Sequence, residues 1–349
     1  MGILYKQIAE HIESIIRSMP LGTDRLPSER EFCEQLNISR QTLRHALDLC
    51  EGKGLIERRR GSGIYLSSSY KKTVNRIALL VPFSDDYIYP GIINLLEKRL
   101  NELMYSLDIY DTHDSIENIT SILNRLFNTK VSCIIISIIR NALPAAFSPI
   151  LKKLSEAGTK IVFWGNPNIN LKNYSYIKSD NYYAGFSIAE ALADTRTNDI
   201  YALLMHDNLT SYDKYLGLID AFTENGMTSY EKNIHWFSYD EYLNMEHNRD
   251  TSCLTGLISK LSHTPSAIIC DNDVIAYWLT KELINKYHSI DDIRIYSFDN
   301  SYLCKIINHE IISYGTDSET FVDNMVSLVT NRSKKEKEVI TLPSLENHY

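Results

Sequence analysis

The sequence predicts an α/β protein in which an N-terminal winged helix-turn-helix precedes a two-lobed, doubly wound α/β domain. The first observation is that two capped helical segments and a glycine-tipped hairpin follow one another within residues 26–66. The second is that short apolar runs alternate with amphipathic helical segments beyond residue 75. This alternation is typical of parallel sheets covered by helices on both faces. A segment of about 270 residues exceeds one hydrophobic core and suggests two lobes.

The domain boundary is predicted in the polar stretch SSSYKKT at residues 67–73, which has no apolar periodicity. We assign residues 1–67 to the winged helix-turn-helix, 68–75 to a linker and 76–349 to the larger domain.

The net charge is −8 overall, and it is divided unevenly. Residues 1–76 contain 13 Lys and Arg against 9 Asp and Glu, a net charge of +4, which leaves −12 for the rest. A basic head on an acidic body is the asymmetry expected of a nucleic-acid-binding head joined to a separate domain.

The head is predicted element by element from its apolar spacing and caps. An amphipathic helix covers Leu4–Met19, followed by a loop over Pro20–Leu26. Ser28, with Glu31 three residues on, has the spacing of a capping box and starts a second helix. Ser39 caps a third helix, and the segment 55–66 predicts two strands around a basic tip. Together these elements form a winged helix-turn-helix.

The third helix begins with polar side chains suited to base edges in a major groove. Arg binds guanine and Gln binds adenine through paired hydrogen bonds. The hairpin tip carries three arginines before Gly61 that suit phosphates, and glycines that let backbone approach a minor groove. For each arginine alone, a solvated surface charge is the simpler interpretation; the whole set favours DNA. The predicted DNA-binding residues are Arg30, Ser39, Arg40, Gln41, Thr42, Arg44, Arg59, Arg60, Gly61 and Gly63.

The blocks LPSERE, SRQTLRHAL and GLIERRRGSGIYL resemble the DNA-binding domain of the GntR family of bacterial transcriptional regulators. The resemblance covers residues 4–67 and all three blocks in order. It implies DNA contacts by Arg30, Arg40, Thr42 and Arg44, with Gly61 and Gly63 in the wing. Gln41 occupies a position that varies in that family and tends to set sequence preference.

Cysteine usage and hydropathy predict a cytoplasmic protein without a membrane partner. The six cysteines show no CxxC or metal-ligand spacing, which favours reduced thiols and no metal. The N-terminus predicts an amphipathic helix instead of a signal peptide, and the longest apolar run, Val131–Ile139, is too short to span a bilayer.

In the larger domain the apolar runs and helical periods predict the following elements. The strands are Arg76–Pro82, Leu107–Tyr110, Val131–Ile138, Lys160–Trp164, Tyr174–Ile177, Ile200–Met205, Ile234–Phe237, Ser266–Cys270 and Ile293–Phe298. The helices are Pro90–Tyr105, Ile116–Phe127, Tyr182–Leu192, Asp213–Asn225, Cys253–Leu261 and Val274–Tyr287.

Polar residues cluster where these strands end, and in such sheets ligands bind beyond the carboxyl ends of the strands. A single Asp or Asn at such a turn is as often a helix cap as a ligand-binding residue. Their convergence on one edge favours a polar cleft, and carboxylates, amides, a cation and nearby aromatic rings suit a sugar. The predicted effector-binding residues are Asp85, Tyr87, Arg140, Asn166, Asp180, Lys214, Asn272 and Asp299.

The segments NRIALLVP, YIKSDNYYAG, DKYLGLIDAF, PSAIICDNDVIA and IRIYSFDN resemble the LacI-type effector domain, which is similar to periplasmic sugar-binding proteins. This resemblance covers residues 75–343 and implies a periplasmic-binding-protein-like fold with ligand contacts at Asp180, Lys214, Asn272 and Asp299. Two positions depart from the family pattern, which usually has Arg where Lys214 stands and Gly where Ser297 stands. Lysine is a point charge and cannot make a planar bidentate contact, so the identity of the effector is less certain.

A GntR-type head on a LacI-type body resembles the arabinose repressors of Gram-positive bacteria, as do SDDYIYPGIINLLE and AIICDNDVIA. The resemblance implies a homodimeric repressor that binds an operator in double-stranded DNA and responds to a small sugar such as arabinose. A different sugar or a sugar phosphate is the main alternative effector. An enzyme fused to the head is a weaker alternative, because no GxSxG, HExxH or Walker pattern is present and no cofactor is expected. An exported solute-binding protein would have no use for the head.

Overall fold

The structure is a computed structural model, and it describes residues 4–348 except 20–23, 69, 71–74, 130, 138–145, 166–170, 172, 196, 198, 228–230, 262, 332–336 and 338. The predicted linker therefore lies largely outside the described residues. The head and the two lobes of the body are described in turn.

The head contains three helices and a two-stranded hairpin: α1 (Leu4–Ser18), α2 (Glu29–Leu36), α3 (Arg40–Gly52), β1 (Ile56–Arg59) and β2 (Gly63–Leu66). Ser28 and Glu31 form the predicted capping box, and the Ser39 hydroxyl accepts from the Thr42 amide. The turn between α2 and α3 passes through Asn37, which ends α2 with a φ of 49°. The predicted winged helix-turn-helix is confirmed.

A single core joins these elements. Ile12 of α1, Phe32 of α2, and Leu43 and Leu47 of α3 are fully buried in one cluster, which Ile56 of the hairpin completes. Burial of side chains of this size contributes roughly 1.5–3 kcal/mol each. This core fixes the orientation of α3 relative to the hairpin.

The body contains two six-stranded sheets. The elements of the first lobe are β3 (Arg76–Val81), α4 (Tyr89–Glu102), β4 (Ser106–Asp111), α5 (Ile116–Thr129), β5 (Cys133–Ser137), α6 (Ser148–Glu156), β6 (Lys160–Trp164) and β7 (Ser175–Ser179). The elements of the second lobe are α7 (Asn181–Asp194), β8 (Ile200–Met205), α8 (Leu209–Glu224), β9 (Ile234–Phe237), α9 (Tyr239–Asn248), α10 (Ser252–Lys260), β10 (Ala267–Cys270), α11 (Asp273–Tyr287), β11 (Arg294–Phe298) and β12 (Ile311–Gly315). The chain then adds α12 (Ser318–Thr330), β13 (Val339–Leu342) and β14 (Leu345–His348).

Both sheets are parallel apart from one edge strand. The strand order is β13-β7-β6-β5-β3-β4 in the first lobe and β14-β12-β11-β10-β8-β9 in the second, with β14 antiparallel to β12.

Strand β3 shows that the sheet is buried on both of its faces. Ile77, Leu79 and Val81 belong to one buried cluster, whereas Ala78 and Leu80 belong to another on the opposite face. The two-lobed, doubly wound fold is therefore confirmed.

The chain passes between the lobes after β7, after β12 and between β13 and β14, and these three crossing segments are hydrogen-bonded together. The hydroxyls of Ser179 and Thr316 lie 2.7 Å apart, and the Thr316 hydroxyl also donates to the Pro343 carbonyl at 3.1 Å. The Asp180 amide donates to the Leu342 carbonyl at 2.8 Å. The lobes are thus joined by one connected hinge.

The predicted elements are present with shifted ends, and several elements were missed. Helix α8 begins at Leu209 instead of Asp213, because the Asn208 side chain caps it by accepting from the Thr210 amide at 2.8 Å. The elements that the sequence analysis did not predict are α6, α9, β12, α12, β13 and β14. Of these, α9 and the elements after β12 bear directly on the cleft between the lobes.

Candidate functional site

A cleft of about 170 Å³ lies between the lobes, at the carboxyl ends of both sheets. Residues that end or follow strands line it from both sides, including Tyr87 after β3, Trp164 at the end of β6, Asp271 after β10 and Asp299 after β11. Convergence of strand ends at a lobe interface is the usual position of a ligand in such folds.

Lys214 lies at the base of the cleft, and its charge is already engaged by the protein. Its side chain is only 3% exposed, and its ammonium donates to the Asp271 carbonyl oxygen at 2.6 Å. The same nitrogen lies 3.8 Å from Asp271 Oδ2 and 4.7 Å from the centre of the Phe298 ring. Burial raises the pKa of Asp271, and the Lys214 charge opposes that rise. Lys214 therefore holds Asp271 at the cleft instead of standing as an unpaired cation.

Two glycines allow α7 and α8 to bring Lys214 to this place. A Cβ on Gly217 would lie 2.0 Å from the Tyr182 carbonyl oxygen, and one on Gly185 would lie 2.2 Å from the Lys214 carbonyl oxygen. Only a residue without a side chain permits such backbone contact between helices. The position of Lys214 thus depends on Gly185 and Gly217.

Asp299 is presented by a left-handed turn that other side chains clamp. Asp299 and Asn300 have φ values of 96° and 53°. The Asp273 carboxylate accepts from the Ser301 amide at 2.6 Å and from the Ser313 hydroxyl at 2.8 Å, and that hydroxyl accepts from the Asn300 amide at 3.0 Å. Burial and the nearby Asp299 charge raise the pKa of Asp273 to about 6. This network preorganises the Asp299 carboxylate, to which the Tyr87 hydroxyl donates across the cleft.

A second contact between the lobes joins two carboxyl groups. Asp86, in the loop after β3, lies close to the Glu246 carboxyl of α9. Burial, with Glu246 and the more distant Asp299, raises the pKa of Asp86 to about 9. Asp86 therefore carries a proton at neutral pH.

Four of the predicted effector residues converge on the cleft, namely Tyr87, Lys214, Asn272 and Asp299. Asn272 also caps α11, because its side-chain oxygen accepts from the Ile275 amide at 3.0 Å.

Of the other four predicted residues, the two that the structure describes, Asp85 and Asp180, do not line the cleft. Asp180 caps α7 by accepting from the Tyr183 amide at 3.1 Å, while its neighbours Ser179 and Asn181 line the cleft instead. Asp85 is exposed on the turn before Tyr87. Arg140 and Asn166 lie outside the described residues.

The predicted effector-binding residues do not include Asp86, Asp271 or two tyrosines of α9, all of which line the cleft. Tyr239 and Tyr242 line the cleft with their rings stacked, the centroids 5.7 Å apart. Helix α9 has a signal in the sequence, because Ser238 and Glu241 have the spacing of a capping box and form one in the structure. Asp271 stands beside Asn272 in the same DND run, but its burial against Lys214 could not be read from that run.

In the head, the start of α3 presents an exposed polar surface. Arg40, Gln41 and Arg44 are exposed, and Arg44 makes only a surface contact of 3.3 Å with Glu29. The hydroxyls of Ser39 and Thr42 lie 2.8 Å apart and form the helix cap. Surface ion pairs of this kind are worth little, so the arginine side chains are available to a partner.

Arg30 is likewise exposed, and its one described ion pair is with Glu34 at 2.8 Å.

The wing is an antiparallel hairpin in which Arg59 of β1 is paired with Gly63 of β2. Gly61 and Gly63 have φ values of 72° and 128°, which side chains rarely adopt. Arg59 pairs with Glu57 at 2.6 Å and lies 4.6 Å above the Tyr65 ring.

The first of the three arginines before Gly61 is engaged by two carboxylates of the head. Arg58 is held by Asp48 and Glu51 of α3, with both contacts at 2.6 Å. It fastens the wing to α3, whereas Arg59 and Arg60 lie nearer the tip of the wing.

Within the described ranges, no helix is long and apolar enough to cross a membrane, and no group of three or more His, Cys, Asp or Glu side chains is arranged to hold a metal ion.

Fold and cleft together define a two-lobed small-molecule-binding domain behind a winged helix-turn-helix. Residues 77–302 match the family of periplasmic binding protein domains, and the chain belongs to this family. Residues 4–66 match the gntR family of bacterial regulatory proteins, so the head is a GntR-type domain.

Two similar full-length relatives are arabinose metabolism transcriptional repressors. The one from Halalkalibacterium halodurans is 22% identical over 92% of this chain and 89% of its own length. The one from Geobacillus stearothermophilus is 24% identical over 85% of this chain and 82% of its own length.

Solved structures with the same fold include a transcriptional regulator CelR–cellobiose complex, with a TM-score of 0.66 and 16% identity over 89% of this chain and 90% of that one. Another is a LacI transcriptional regulator from Alkaliphilus metalliredigens complexed with D-xylulofuranose, with a TM-score of 0.64 and 18% identity over 78% of this chain and 97% of that one.

Proposed function

We propose that the chain is a DNA-binding transcriptional repressor of carbohydrate utilisation genes, released from its operator by a small neutral sugar. The observation that carries the proposal is the cleft of carboxylates, amides and aromatic rings on a chain with a GntR-type head. The similar repressors of arabinose metabolism support the same class of function. Such a protein acts in the cytoplasm, where its DNA is.

The charges of the cleft favour a neutral sugar over a sugar phosphate. The carboxyl groups of Asp271 and Asp299 line the cleft, together with the protonated Asp86. Its lysines are engaged, Lys214 with Asp271 and Lys178 with Asp213 at 3.2 Å. Among the residues that the structure describes here, a phosphate would meet carboxylates without an unpaired cation to offset them, which is unfavourable in a partly buried site.

For the mechanism, we propose a homodimer assembled through the bodies. Sugar hydroxyls bind Asp299, Asn272 and Asp271 from the second lobe, and Tyr87 from the first, so that the ligand favours the closed arrangement of the lobes. A ligand shifts such an equilibrium by its differential affinity for the two arrangements. The altered geometry changes the separation of the two heads. This separation must equal the spacing of the two half-sites of the operator, which is about one helical turn of DNA or a multiple of it.

Operator sequences selected in vitro from random DNA, with the full chain as bait, provide the test. Fluorescence anisotropy then measures operator affinity with L-arabinose, D-xylose, D-glucose or their phosphates present. We expect a neutral sugar to weaken operator binding by tenfold or more, while the phosphates have no effect. A phosphate that alone releases DNA would contradict the neutral-sugar assignment, and selection of no preferred sequence would contradict the repressor itself.

A further inference from the structure

A second and larger cavity adjoins the cleft on its hinge side. It has a volume of about 350 Å³, and we call it the outer chamber, in contrast to the inner chamber of about 170 Å³ that contains Lys214 and Asp271. The two chambers share wall residues, among them Tyr87, Trp164 and Asp299. They are therefore neighbouring parts of one space between the lobes.

The outer chamber has the chemistry of a sugar subsite. Tyr302 and Tyr314 give it aromatic rings, and Ser301 and Thr316 give it hydroxyls. Ser344, in the crossing segment between β13 and β14, also lines it. Its side-chain oxygen is buried and has no hydrogen-bond partner among the described residues. An unpaired buried hydroxyl costs free energy, and a ligand hydroxyl in the chamber would remove that cost.

We propose that the outer chamber is a second sugar subsite, and that the effector is an oligosaccharide with one ring in each chamber. This inference rests on the proposed function, and it deepens it by naming the size of the sugar. A ring in the inner chamber reaches Asp271 and Asn272, and a ring in the outer chamber reaches Ser344 and Tyr302. The inner chamber alone is smaller than most small-molecule sites, whereas the combined space lies within their range of roughly 300–1,000 Å³.

The hydrogen bond from the Tyr87 hydroxyl to Asp299 joins two residues of the wall that the chambers share. Both residues line both chambers, so a ligand that spans them passes this pair. A sugar hydroxyl donates to a carboxylate as a phenol does, and it replaces the Tyr87 hydroxyl on Asp299 without leaving the carboxylate unpaired. The outer ring would also contact segments of the hinge, since Thr316 and Ser344 belong to two of the three crossings.

Gly91 allows the outer chamber to be narrowed selectively. It lines the outer chamber and is not among the residues of the inner one, and a Cβ placed on it would meet no heavy atom within 4 Å. Gly91→Phe therefore fills part of the outer chamber with little strain. Gly256→Phe is the matched control, because Gly256 lies in α10, has the same open surroundings and lines neither chamber.

Isothermal titration of the full chain with paired probes tests the inference. The pairs are L-arabinose with α-1,5-arabinobiose, D-xylose with xylobiose, and D-glucose with cellobiose and maltose. We expect one disaccharide to bind at least tenfold more tightly than its monosaccharide, with one equivalent per chain. Gly91→Phe should weaken that disaccharide at least tenfold and leave the monosaccharide within twofold, and Gly256→Phe should change neither.

The inference is overturned if a monosaccharide binds as tightly as its disaccharides, if two equivalents of monosaccharide bind per chain, or if Gly91→Phe weakens both members of a pair equally. These results leave the proposed sugar response intact. Absence of binding by every sugar would instead contradict the proposed function, and the subsite with it.

Discussion

At the scale of single residues, the function depends on a few side chains whose surroundings determine what they can do. Lys214 and Asp271 show this most clearly, because the ammonium that the sequence offers as a ligand contact is bound to the Asp271 carbonyl oxygen. Asp299 differs, because its carboxylate lines the cleft and accepts there from the Tyr87 hydroxyl. Asp299 is therefore the side chain most directly available to a sugar.

Replacing Asp299 by Ala should abolish the sugar response and leave operator affinity near normal, because Asp299 belongs to the body. Loss of charge-assisted hydrogen bonds leaves sugar hydroxyls unpaired, at a cost of roughly 2–4 kcal/mol, or about thirty- to a thousandfold in affinity. Titration calorimetry with the best wild-type sugar measures the loss. Asp180→Ala is the matched control, since Asp180 caps α7 and should change stability more than affinity. Equal affinities for wild type and Asp299→Ala would place the ligand elsewhere.

In the head, Arg40→Ala and Arg44→Ala should each weaken operator binding by roughly 1–3 kcal/mol if these side chains contact bases. Arg60→Ala, at the tip of the wing, should lower affinity for every sequence and reduce the salt dependence, as loss of a phosphate contact does. Gel shifts with operator and scrambled DNA at several salt concentrations separate the two. If Arg40→Ala lowered affinity for both DNAs equally, its role as a base contact would be refuted.

At the scale of elements, helix pairs and caps place these side chains. The close contact of α7 and α8 brings Lys214 under the cleft, and the capping box of α9 starts the helix that supplies Tyr239 and Tyr242. The turn that follows β11 is equally constrained. Gly315 at the end of β12 packs against it, and a Cβ on this glycine would lie 2.6 Å from Asn300 Cβ. Element packing thus decides the shape of the cleft.

Gly217→Ala should destabilise the body, because the added methyl group would overlap the Tyr182 carbonyl oxygen. Overpacking of this kind costs typically about 1–3 kcal/mol, and here it opposes backbone, which yields less than a side chain. Urea unfolding followed by circular dichroism gives the change in unfolding free energy. Gly256→Ala provides the comparison, since its Cβ has open space and alanine favours the helix. Similar stability for both variants would contradict the close α7–α8 packing.

At the scale of the whole molecule, the two lobes are joined by a hydrogen-bonded hinge and by contacts across the cleft. Asp86 and Glu246 form one of these contacts, and Phe83 with His247 forms another, with ring centroids 4.6 Å apart. Burial and the nearby Glu246 raise the pKa of Asp86, so Asp86 holds a proton at neutral pH in this arrangement of the lobes.

The pKa of Asp86, raised to about 9, predicts how stability depends on pH. Between the ordinary pKa of about 4 and the folded value, the native state holds a proton that the unfolded state releases, so the unfolding free energy falls as pH rises through this window. The fall is at most about 1.4 kcal/mol per pH unit from one group. Asp86→Asn, which cannot ionise, should lose less stability from pH 5 to 9.

Thermal unfolding of wild type, Asp86→Asn and Asp85→Asn across that range measures the effect. Asp85 is exposed, so its variant should follow the wild-type curve. Parallel curves for wild type and Asp86→Asn would show that Asp86 does not hold the proton.

The sequence by itself determined the head and most of the sheet strands. Caps such as Ser28 and Ser39, and runs such as β3, act through neighbours within a few residues, so periodicity and spacing reveal them. Only the tertiary structure decided which strand-end groups meet. It brought Tyr87 to Asp299, 212 positions away, and it buried Lys214 against Asp271 while leaving Asp180 as a cap. The physical reason is that strand order and the three crossings between the lobes come from pairing between distant segments, which local sequence patterns do not encode.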